Sequence, residues 1–279
     1  MFAALSNGWE LAKQSYRVLM LDKELLVFPL LSGLACLLVL VSFALPLVGS
    51  DYLETITDER AAPQDAAVYV ILFAFYFANY FVMTFFNTAL IACAIIRFRG
   101  GDPTLADGFS AAFSRLPQIF GWSLVSATVG MILRIIESRS ERAGRFVAGL
   151  LGMAWSAASY FVIPVLVVEN VSPIQALKRS LSVLRQTWGE ALGANFGIGL
   201  VVFLVSLVAI VPIGLGLASG NMAMMILGVG LGVSWLILVS LVSAALKAIT
   251  IGALYLYATQ NTVPEQFDEN LLRQAFVQR

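Results

Sequence analysis

The stretch Leu25–Val48, LLVFPLLSGLACLLVLVSFALPLV, contains no charged residue and is long enough to cross a membrane as one helix. A transmembrane helix needs about 20 mainly apolar residues to span roughly 30 Å of hydrocarbon. Five later stretches meet the same test, and the alternating segments typical of a membrane β-barrel are absent from the sequence. The sequence therefore predicts an all-α polytopic membrane bundle. Its six transmembrane segments are Leu25–Val48, Val68–Ile96, Pro117–Ile136, Phe146–Val168, Leu192–Leu217 and Met222–Ala258.

The overall composition agrees with this class. Of the 279 residues, 59% are hydrophobic and 12% are charged, whereas soluble domains have roughly 45 to 50% apolar and about 25% charged residues. The net charge is zero, so no overall basic field attracts nucleic acid. The chain has no histidine, and neither Cys36 nor Cys93 has a second cysteine at ligand spacing. We therefore expect no nucleic-acid partner, no metal and no cofactor, and we interpret both cysteines as packing residues.

The distribution of basic residues predicts the orientation, because Lys and Arg near helix ends are retained on the cytoplasmic side. Eleven basic residues lie on the side of the two termini and four on the opposite side, so both termini are predicted to be cytoplasmic. The segment Glu137–Arg145 is the exception, and it leaves open a middle hairpin that does not fully cross. The eleven are Lys13, Arg17, Lys23, Arg97, Arg99, Arg115, Lys178, Arg179, Arg185, Arg273 and Arg279; the four are Arg60, Arg139, Arg142 and Arg145.

Three segments on the predicted cytoplasmic side combine basic residues with apolar residues at helical spacing. Basic amphipathic helices of this kind lie in the membrane interface. The lipid bilayer, with anionic lipids, is therefore a predicted partner through Lys13, Arg17, Lys178, Arg179 and Arg185. The predicted apolar faces are Phe2, Leu5, Trp9, Ala12, Tyr16 and Leu19, opposite Glu10 and Gln14; then Leu105, Phe109, Phe113 and Leu116; then Ile174, Leu177, Leu181, Leu184 and Trp188.

Two of these amphipathic helices have recognisable starts. Asp102 followed by Pro103 is a good N-cap before a proline at the first helical position. Ser172 and the proline after it start the third helix in the same way, and Gln175 completes a predicted capping box.

The order of segments predicts one membrane domain, residues 1–262, built from three units of the same topology. Each unit starts with an inner interfacial helix and continues with a transmembrane hairpin, although residue identity between the units is weak. Residues 263–279 form a predicted cytoplasmic tail, where Phe267, Leu271 and Ala275 indicate a last short helix. The three units lie near residues 1–101, 102–171 and 172–262.

Five charged or polar residues within the predicted spans are candidates for a ligand or lipid site, because a charge near the bilayer centre is costly and often functional. Lys247 stands out, since eleven apolar or neutral residues, about 16 Å of helix, separate it from the polar tail. It could bind an anionic substrate or lipid headgroup, or its side chain could snorkel to the surface as we expect for Arg134. Asn79, Asn87 and Asn195 are expected to form interhelical hydrogen bonds.

The acidic residues argue against two functional classes. All seventeen lie outside the six apolar stretches, whereas proton-coupled carriers usually need a carboxylate or histidine within the membrane. The sequence has no HExxH or GxSxG motif, so the usual hydrolase machinery is missing. A serine–lysine dyad that uses Lys247 is the enzymatic alternative that remains.

The last apolar stretch, 37 residues or about 56 Å of helix, exceeds one bilayer crossing. We expect it to tilt or to break, with Gly228, Gly230 and Gly232 as the predicted break. A break would favour transport modestly, because discontinuous helices form transporter binding sites. Glycines four residues apart also provide small faces for close helix approach, within the chain or between copies. These sets are residues 189, 193 and 197; 216 and 220; and 228 and 232.

Several stretches resemble an uncharacterised bacterial membrane family known only as a domain of unknown function, the six-one-five-nine family. They are YFVIPVLVVE at Tyr160–Glu169, ALKRS at Ala176–Ser180, TWGE at Thr187–Glu190, ALYLYA at Ala253–Ala258, and the segment Asp22–Pro29. The resemblance implies a bacterial inner-membrane location and a six-helix layout. It implies no catalytic residue.

Three functions remain open at the level of sequence. The leading hypothesis is a non-enzymatic inner-membrane protein that associates with lipid as a scaffold or as a component of a complex. The first alternative is a channel or transporter for a small or amphiphilic solute, which predicts a polar cavity reaching Lys247. The second alternative is a membrane-embedded enzyme subunit. A homo-oligomer or a membrane-protein partner is compatible with all three.

Overall fold

The computed structural model describes residues 2–48, 66–138, 143–186 and 199–268. Every regular element in these residues is helical, as the long apolar stretches predict. The helices are α1 (Phe2–Leu21), α2 (Val27–Leu47), α3 (Ala66–Phe98), α4 (Leu105–Ser114), α5 (Leu116–Ser138), α6 (Ala143–Ala158), α7 (Val162–Glu169), α8 (Pro173–Gln186), α9 (residues 199–206), α10 (Ile210–Ala218) and α11 (Met222–Gln260), with 3₁₀ turns at Lys23–Leu26 and Leu207–Ala209.

Six helical segments in the described residues are long and apolar enough to cross a membrane. Each coincides with one of the six predicted spans, and their ends agree to within a few residues where both are described. The prediction of an all-α polytopic membrane bundle is confirmed. The segments are Lys23–Pro46, Ala66–Phe98, Leu116–Ser138, Gly144–Glu169, Gly199–Ala218 and Met222–Gln260.

The fourth span is interrupted between α6 and α7, at residues 159–161. The cause is Pro164, which has no N–H to donate to the carbonyl of Tyr160 and whose ring clashes with that carbonyl in a continuous helix. Helix α7 then starts afresh, with the Val165 N–H donating to the Phe161 carbonyl at 3.1 Å.

The sixth span is one unbroken helix of 39 residues, α11. The predicted break at Gly228–Gly232 is therefore wrong. These glycines instead permit close packing on α10: a Cβ at Gly228 would lie 2.3 Å from the Pro212 carbonyl oxygen, and one at Gly232 would lie 2.4 Å from Ile213 Cγ1. Gly216 faces the same contact, whereas Gly220 has a φ of +64° in the turn between the two helices.

An irregular turn does occur in the fifth span, where Leu207–Ala209 form a 3₁₀ turn between α9 and α10. Pro212 follows, and because it lacks an N–H the carbonyl of Val208 loses its α-helical partner. The glycine spacing predicted the close helix pair correctly but assigned the irregularity to the wrong helix of that pair.

The two parts of α11 have different environments. Most side chains between Met222 and Ser240 are exposed, whereas every residue of Ala245–Leu256 except Lys247 and Ile251 is buried. The segment from Met222 to Leu246 is about 37 Å long, enough for one bilayer crossing. The remaining length of the overlong stretch is therefore a protein core segment.

The chain forms two compact units. In the first, α1 packs against the end of α11, and the Ser15 hydroxyl lies 2.7 Å from the Thr250 hydroxyl. In the second, α5 packs on α6, where Trp122 and Trp155 stack at 5.4 Å between ring centroids. The predicted single domain and its three repeated units stay predictions. The first unit is Met1–Pro29, Cys93–Pro103 and Gln186–Arg279; the second is Leu30–Ala92 and Thr104–Arg185.

Candidate functional site

Helix α8 starts where the sequence predicts. The backbone N–H of Ser172 donates to Gln175 Oε1 at 3.1 Å, and the Ser172 hydroxyl donates to the same oxygen at 2.9 Å. The Ala176 N–H donates to the Ser172 carbonyl at 2.8 Å, which closes the first turn. This end of the helix is therefore fixed by its own side chains.

The predicted apolar face of α8 does not pack as one surface. Ala176, Ser180 and Val183 are buried together with Leu184. Of the apolar residues predicted to share a face, Ile174 and Leu181 are 52% and 36% exposed, and Trp188 lies outside the described residues. The physical reason is size, because small side chains on one face let the helix pack closely on its neighbours.

The opposite side of α8 presents two apolar and two basic residues in one stripe. Ile174, Lys178, Leu181 and Arg185 follow each other at steps of four, three and four residues, and all four are exposed. We call this set the exposed α8 face. It places two cations beside two apolar side chains, the combination found where helices meet a membrane interface.

Arg179 does not belong to this face. Its Nε donates to Glu169 Oε1 at 2.8 Å, so the guanidinium is held by the carboxylate at the end of α7. Of the three basic residues predicted to meet lipid on this helix, two are exposed on one face and the third is engaged within the fold.

The two faces of α1 also differ from the predicted ones. Trp9 and Tyr16, predicted on the apolar face, are 52% and 46% exposed. Gln14, predicted on the polar face, is buried, and its Oε1 accepts the Asp268 N–H at 3.2 Å. Ser15 is buried as well, so α1 packs partly through polar contacts that its apolar pattern does not reveal. The residues left exposed on one side are Trp9, Lys13, Tyr16, Arg17 and Met20; Ala12 and Leu19, from the predicted apolar face, are buried, and the side chains of Phe2 and Leu5 lie outside those described.

Helix α4 is capped by Thr104, so the predicted N-cap at Asp102 is wrong. The Asp107 N–H donates to Thr104 Oγ1 at 3.2 Å, and the Thr104 N–H donates to Asp107 Oδ2 at 2.9 Å. Hydrogen bonds from the Thr104 hydroxyl and backbone hold the pKa of the Asp107 carboxyl below its usual value. Phe109 and Phe113, from the predicted apolar face, contact the ring of Phe85.

Asp102 takes part in an ion-pair cluster instead. Arg97, at the end of α3, donates through Nε to Asp22 Oδ2 at 2.6 Å, and its Nη2 contacts carboxylate oxygens of both Asp22 and Asp102. Asp22 is buried, so this pair lies largely out of water. Sequence reasoning counted Arg97 only as a basic residue on the cytoplasmic side and missed the pair, because 75 positions separate it from Asp22.

The two charged candidates within the spans differ in exposure. Lys247 is exposed on α11, 13 residues before the end of that helix, and most of the apolar residues that follow it are packed in protein. Its predicted role as a ligand or lipid site stays a prediction. Arg134 is half-buried, four residues before the end of α5; its predicted snorkelling stays a prediction.

The asparagine candidates have separate outcomes. The Asn79 side-chain amide donates to the Phe75 carbonyl of its own helix at 2.9 Å, and its predicted interhelical role stays a prediction. Asn87 is half-buried in α3 and its predicted role stays a prediction. Asn195 lies outside the described residues, as do the glycines at 189, 193 and 197 and the tail residues Leu271 and Ala275.

A wide apolar groove of about 600 Å³ lies in the second unit, between α3 and α5. Its lining does not include Lys247 or any other charged side chain. In the parts of the chain that the structure describes, no three His, Cys, Asp or Glu side chains are grouped to hold a metal ion. The groove is lined by Tyr69, Val70, Phe73, Met131 and Ile135.

A side chain from α8 forms hydrogen bonds with the backbone groups at the interruption of the fourth span. The Ser180 hydroxyl donates to the Ala158 carbonyl at 2.7 Å and accepts the Phe161 N–H at 3.0 Å. Ser180 and Phe161 are both fully buried. This bridge was not predicted; Pro164 was the signal for an interruption, but no local pattern identifies the hydroxyl that fills it.

Comparison with known proteins adds one finding. A protein-family model described as a family of unknown function, DUF6159, matches residues 66–264. The segment Asp22–Pro29, one of the stretches that resemble this family, precedes the matched residues. No match is found among curated proteins.

Proposed function

We propose that this chain, which belongs to the family of unknown function DUF6159, is a non-enzymatic membrane protein that binds anionic lipid headgroups through α8. It acts as a lipid-associated scaffold or as a component of a membrane complex. Its location is the bacterial inner membrane, with both termini in the cytoplasm.

The observation that carries this proposal is the exposed α8 face. Two apolar side chains, Ile174 and Leu181, alternate with Lys178 and Arg185 in one exposed stripe on a helix that directly follows a membrane-span segment. Exposed isoleucine and leucine side chains do not stabilise a helix face that contacts water. At a bilayer surface the same side chains are stabilised, because they leave water for the boundary between headgroups and acyl chains. The stems of the lysine and arginine can cover apolar surface while their charged heads reach phosphate oxygens.

The exposed side of α1 supports the same function. Trp9 and Tyr16 are exposed beside Lys13 and Arg17, and aromatic side chains with a polar atom are enriched at membrane–water interfaces. Lys13 lies 3.9 Å from Glu10, an exposed pair on the same helix that costs little to separate. Both helices thus bury polar side chains in protein among their buried residues, and both expose cations together with apolar residues.

A site-specific cross-linking experiment on the full-length chain tests the proposal. A photoreactive benzoylphenylalanine replaces Leu181, and the protein is reconstituted in nanodiscs of equal phosphatidylcholine and phosphatidylglycerol. We expect lipid adducts with a clear excess of the anionic lipid. The double variant Lys178→Gln/Arg185→Gln should reduce that excess about thirtyfold, because each of the two basic residues near an anionic surface contributes about 1 kcal/mol.

The matched control is Lys13→Gln/Arg17→Gln, which removes the same net charge from a different helix and should leave the lipid ratio at position 181 nearly unchanged. Equal labelling of the two lipids in the unmodified chain would contradict the proposal. Cross-links to another protein at position 181, with no lipid adduct, would show that α8 is a protein-docking surface instead.

Transport, the alternative with a different physical requirement, predicts a polar cavity that reaches Lys247. Lys247 is exposed on α11, and the groove in the second unit is apolar and lacks it. No described feature favours transport over lipid binding, so lipid binding is the function that we propose.

A further inference from the structure

We propose that α8 is also a regulatory element: its contact with anionic lipid controls the shape of the fourth membrane span through Ser180. This inference rests on the lipid-binding function proposed above and assigns it a conformational output. Ser180 lies on the buried side of α8, opposite the exposed α8 face, so one helix joins the headgroup region to the interruption in the span.

The interruption creates two backbone groups that need partners. Pro164 interrupts the regular hydrogen bonding after α6. The Ala158 carbonyl lies just before the gap at residues 159–161, and the Phe161 N–H lies at the end of that gap. Phe161 is fully buried, and a buried backbone group without a partner is strongly unfavourable inside a membrane protein. The interrupted conformation therefore depends on a polar atom supplied from elsewhere.

Ser180 supplies that atom for both groups at once. Its hydroxyl donates to the Ala158 carbonyl at 2.7 Å and accepts the Phe161 N–H at 3.0 Å. A hydroxyl can donate one proton and accept on its lone pairs, so a single side chain satisfies both groups. Both distances lie within the normal range, and a shift of α8 by about 1 Å would move them out of it.

The position of α8 depends on its contacts within the protein and on the contacts of its exposed face. Its start is fixed by Ser172 and Gln175, and Arg179 is anchored to Glu169. Lys178 and Arg185 have no carboxylate partner among the described residues, so in the folded chain their positions depend on the surface outside the protein. Anionic headgroups would hold this side of the helix in place and thereby keep Ser180 at the gap.

Hydrogen–deuterium exchange of the full-length chain in nanodiscs tests the coupling. Exchange is followed in residues 159–163 and in α8, with neutral phosphatidylcholine alone and with added phosphatidylglycerol. In the unmodified chain we expect the anionic lipid to slow exchange in both segments, by about fivefold at the gap, the effect of one net hydrogen bond. Ser180→Ala should keep the slowing in α8 and lose it in residues 159–163.

Two variants serve as controls. Ser159→Ala removes a hydroxyl at the same gap, but this hydroxyl donates to the Trp155 carbonyl of its own helix, so the lipid response of both segments should remain. Lys178→Gln/Arg185→Gln leaves the gap untouched and should abolish the slowing in both segments. This second variant keeps the test decisive even if Ser180→Ala fails to fold.

The outcomes separate the two proposals. If anionic lipid slows exchange in α8 but not in residues 159–163 of the unmodified chain, the coupling is overturned and lipid binding stands. If α8 itself shows no response to anionic lipid, the proposed function fails as well. If Ser180→Ala retains the full lipid response at the gap, the hydroxyl is not the connection and the inference is wrong.

Discussion

The two parts of α11 look alike in sequence and differ in environment. Between Met222 and Ser240 the helix contacts α10 through glycines and exposes most of its side chains, whereas Ala245–Leu256 is packed under α1. Both parts are apolar, because lipid and protein interiors select the same residue types. The comparison teaches that the length of an apolar stretch does not by itself say how much of it lies in the membrane.

The largest expected difference between the two parts comes from removing side-chain volume. Ile249→Ala should lower the free energy of unfolding by about 3 kcal/mol, because Ile249 is fully buried and its loss leaves a cavity. Ile237→Ala is the matched change at a side chain that is 53% exposed, and it should cost less than about 0.5 kcal/mol. Unfolding in bicelles measured by steric trapping gives both values, and equal losses would remove the distinction between the two parts.

A smaller effect is expected from adding volume to the exposed part at its contact with α10. Gly228→Val should cost about 2 kcal/mol, because its Cβ would overlap the Pro212 carbonyl oxygen and push the two helices apart. Gly230→Val, two residues along the same helix, meets nothing within 4 Å and should be close to neutral. The measurement is the midpoint of thermal unfolding in detergent; an equally large loss at position 230 would contradict the assigned contact face.

In the packed part, the hydrogen bond between Ser15 and Thr250 should contribute about 1 kcal/mol. A double-mutant cycle with Ser15→Ala and Thr250→Val isolates this coupling, since the Thr250 hydroxyl also donates to the Leu246 carbonyl. Ser42→Ala, which removes an exposed hydroxyl bonded within its own helix, should have no such effect. A coupling of zero would mean that α1 does not pack on α11 through this pair.

The smallest effect is expected at the boundary between the parts. Lys247→Leu should change the free energy of unfolding by less than about 0.5 kcal/mol, because the side chain is exposed and has no ion pair among the described residues. Thermal unfolding of the reconstituted protein measures this. A loss of several kcal/mol would contradict this prediction and reveal a partner for the Lys247 side chain.

The features that the sequence predicts well are local. Six spans follow from runs of apolar residues, and the start of α8 follows from Ser172, Pro173 and Gln175, all within four positions. The features it misses depend on distant partners. The packing of α1 against the end of α11 was not predicted, because the two helices lie more than 200 positions apart.

The faces of the amphipathic helices were misjudged for a related reason. Periodicity sorts side chains by polarity, and it predicts Ile174 and Leu181 on a face opposite the basic residues. In the structure these two side chains share one exposed stripe with Lys178 and Arg185. Close packing instead selected Ala176 and Ser180, whose small size permits close approach, and Ser180 also satisfies two backbone groups. Only a knowledge of the gap beside it would have put that serine in the interior.

The contact between Ser15 and Thr250 can form only late in the synthesis of the chain. The two residues are 235 positions apart, and at ribosomal rates of about 5 to 20 residues per second α1 leaves the ribosome roughly 10 to 50 s before its partner. The second unit, by contrast, is complete once Arg185 has been made. Helix α1 is therefore made long before its partner. Under the proposed lipid-binding function, the exposed Trp9, Tyr16 and Met20 hold α1 at the bilayer surface until the last span has been made.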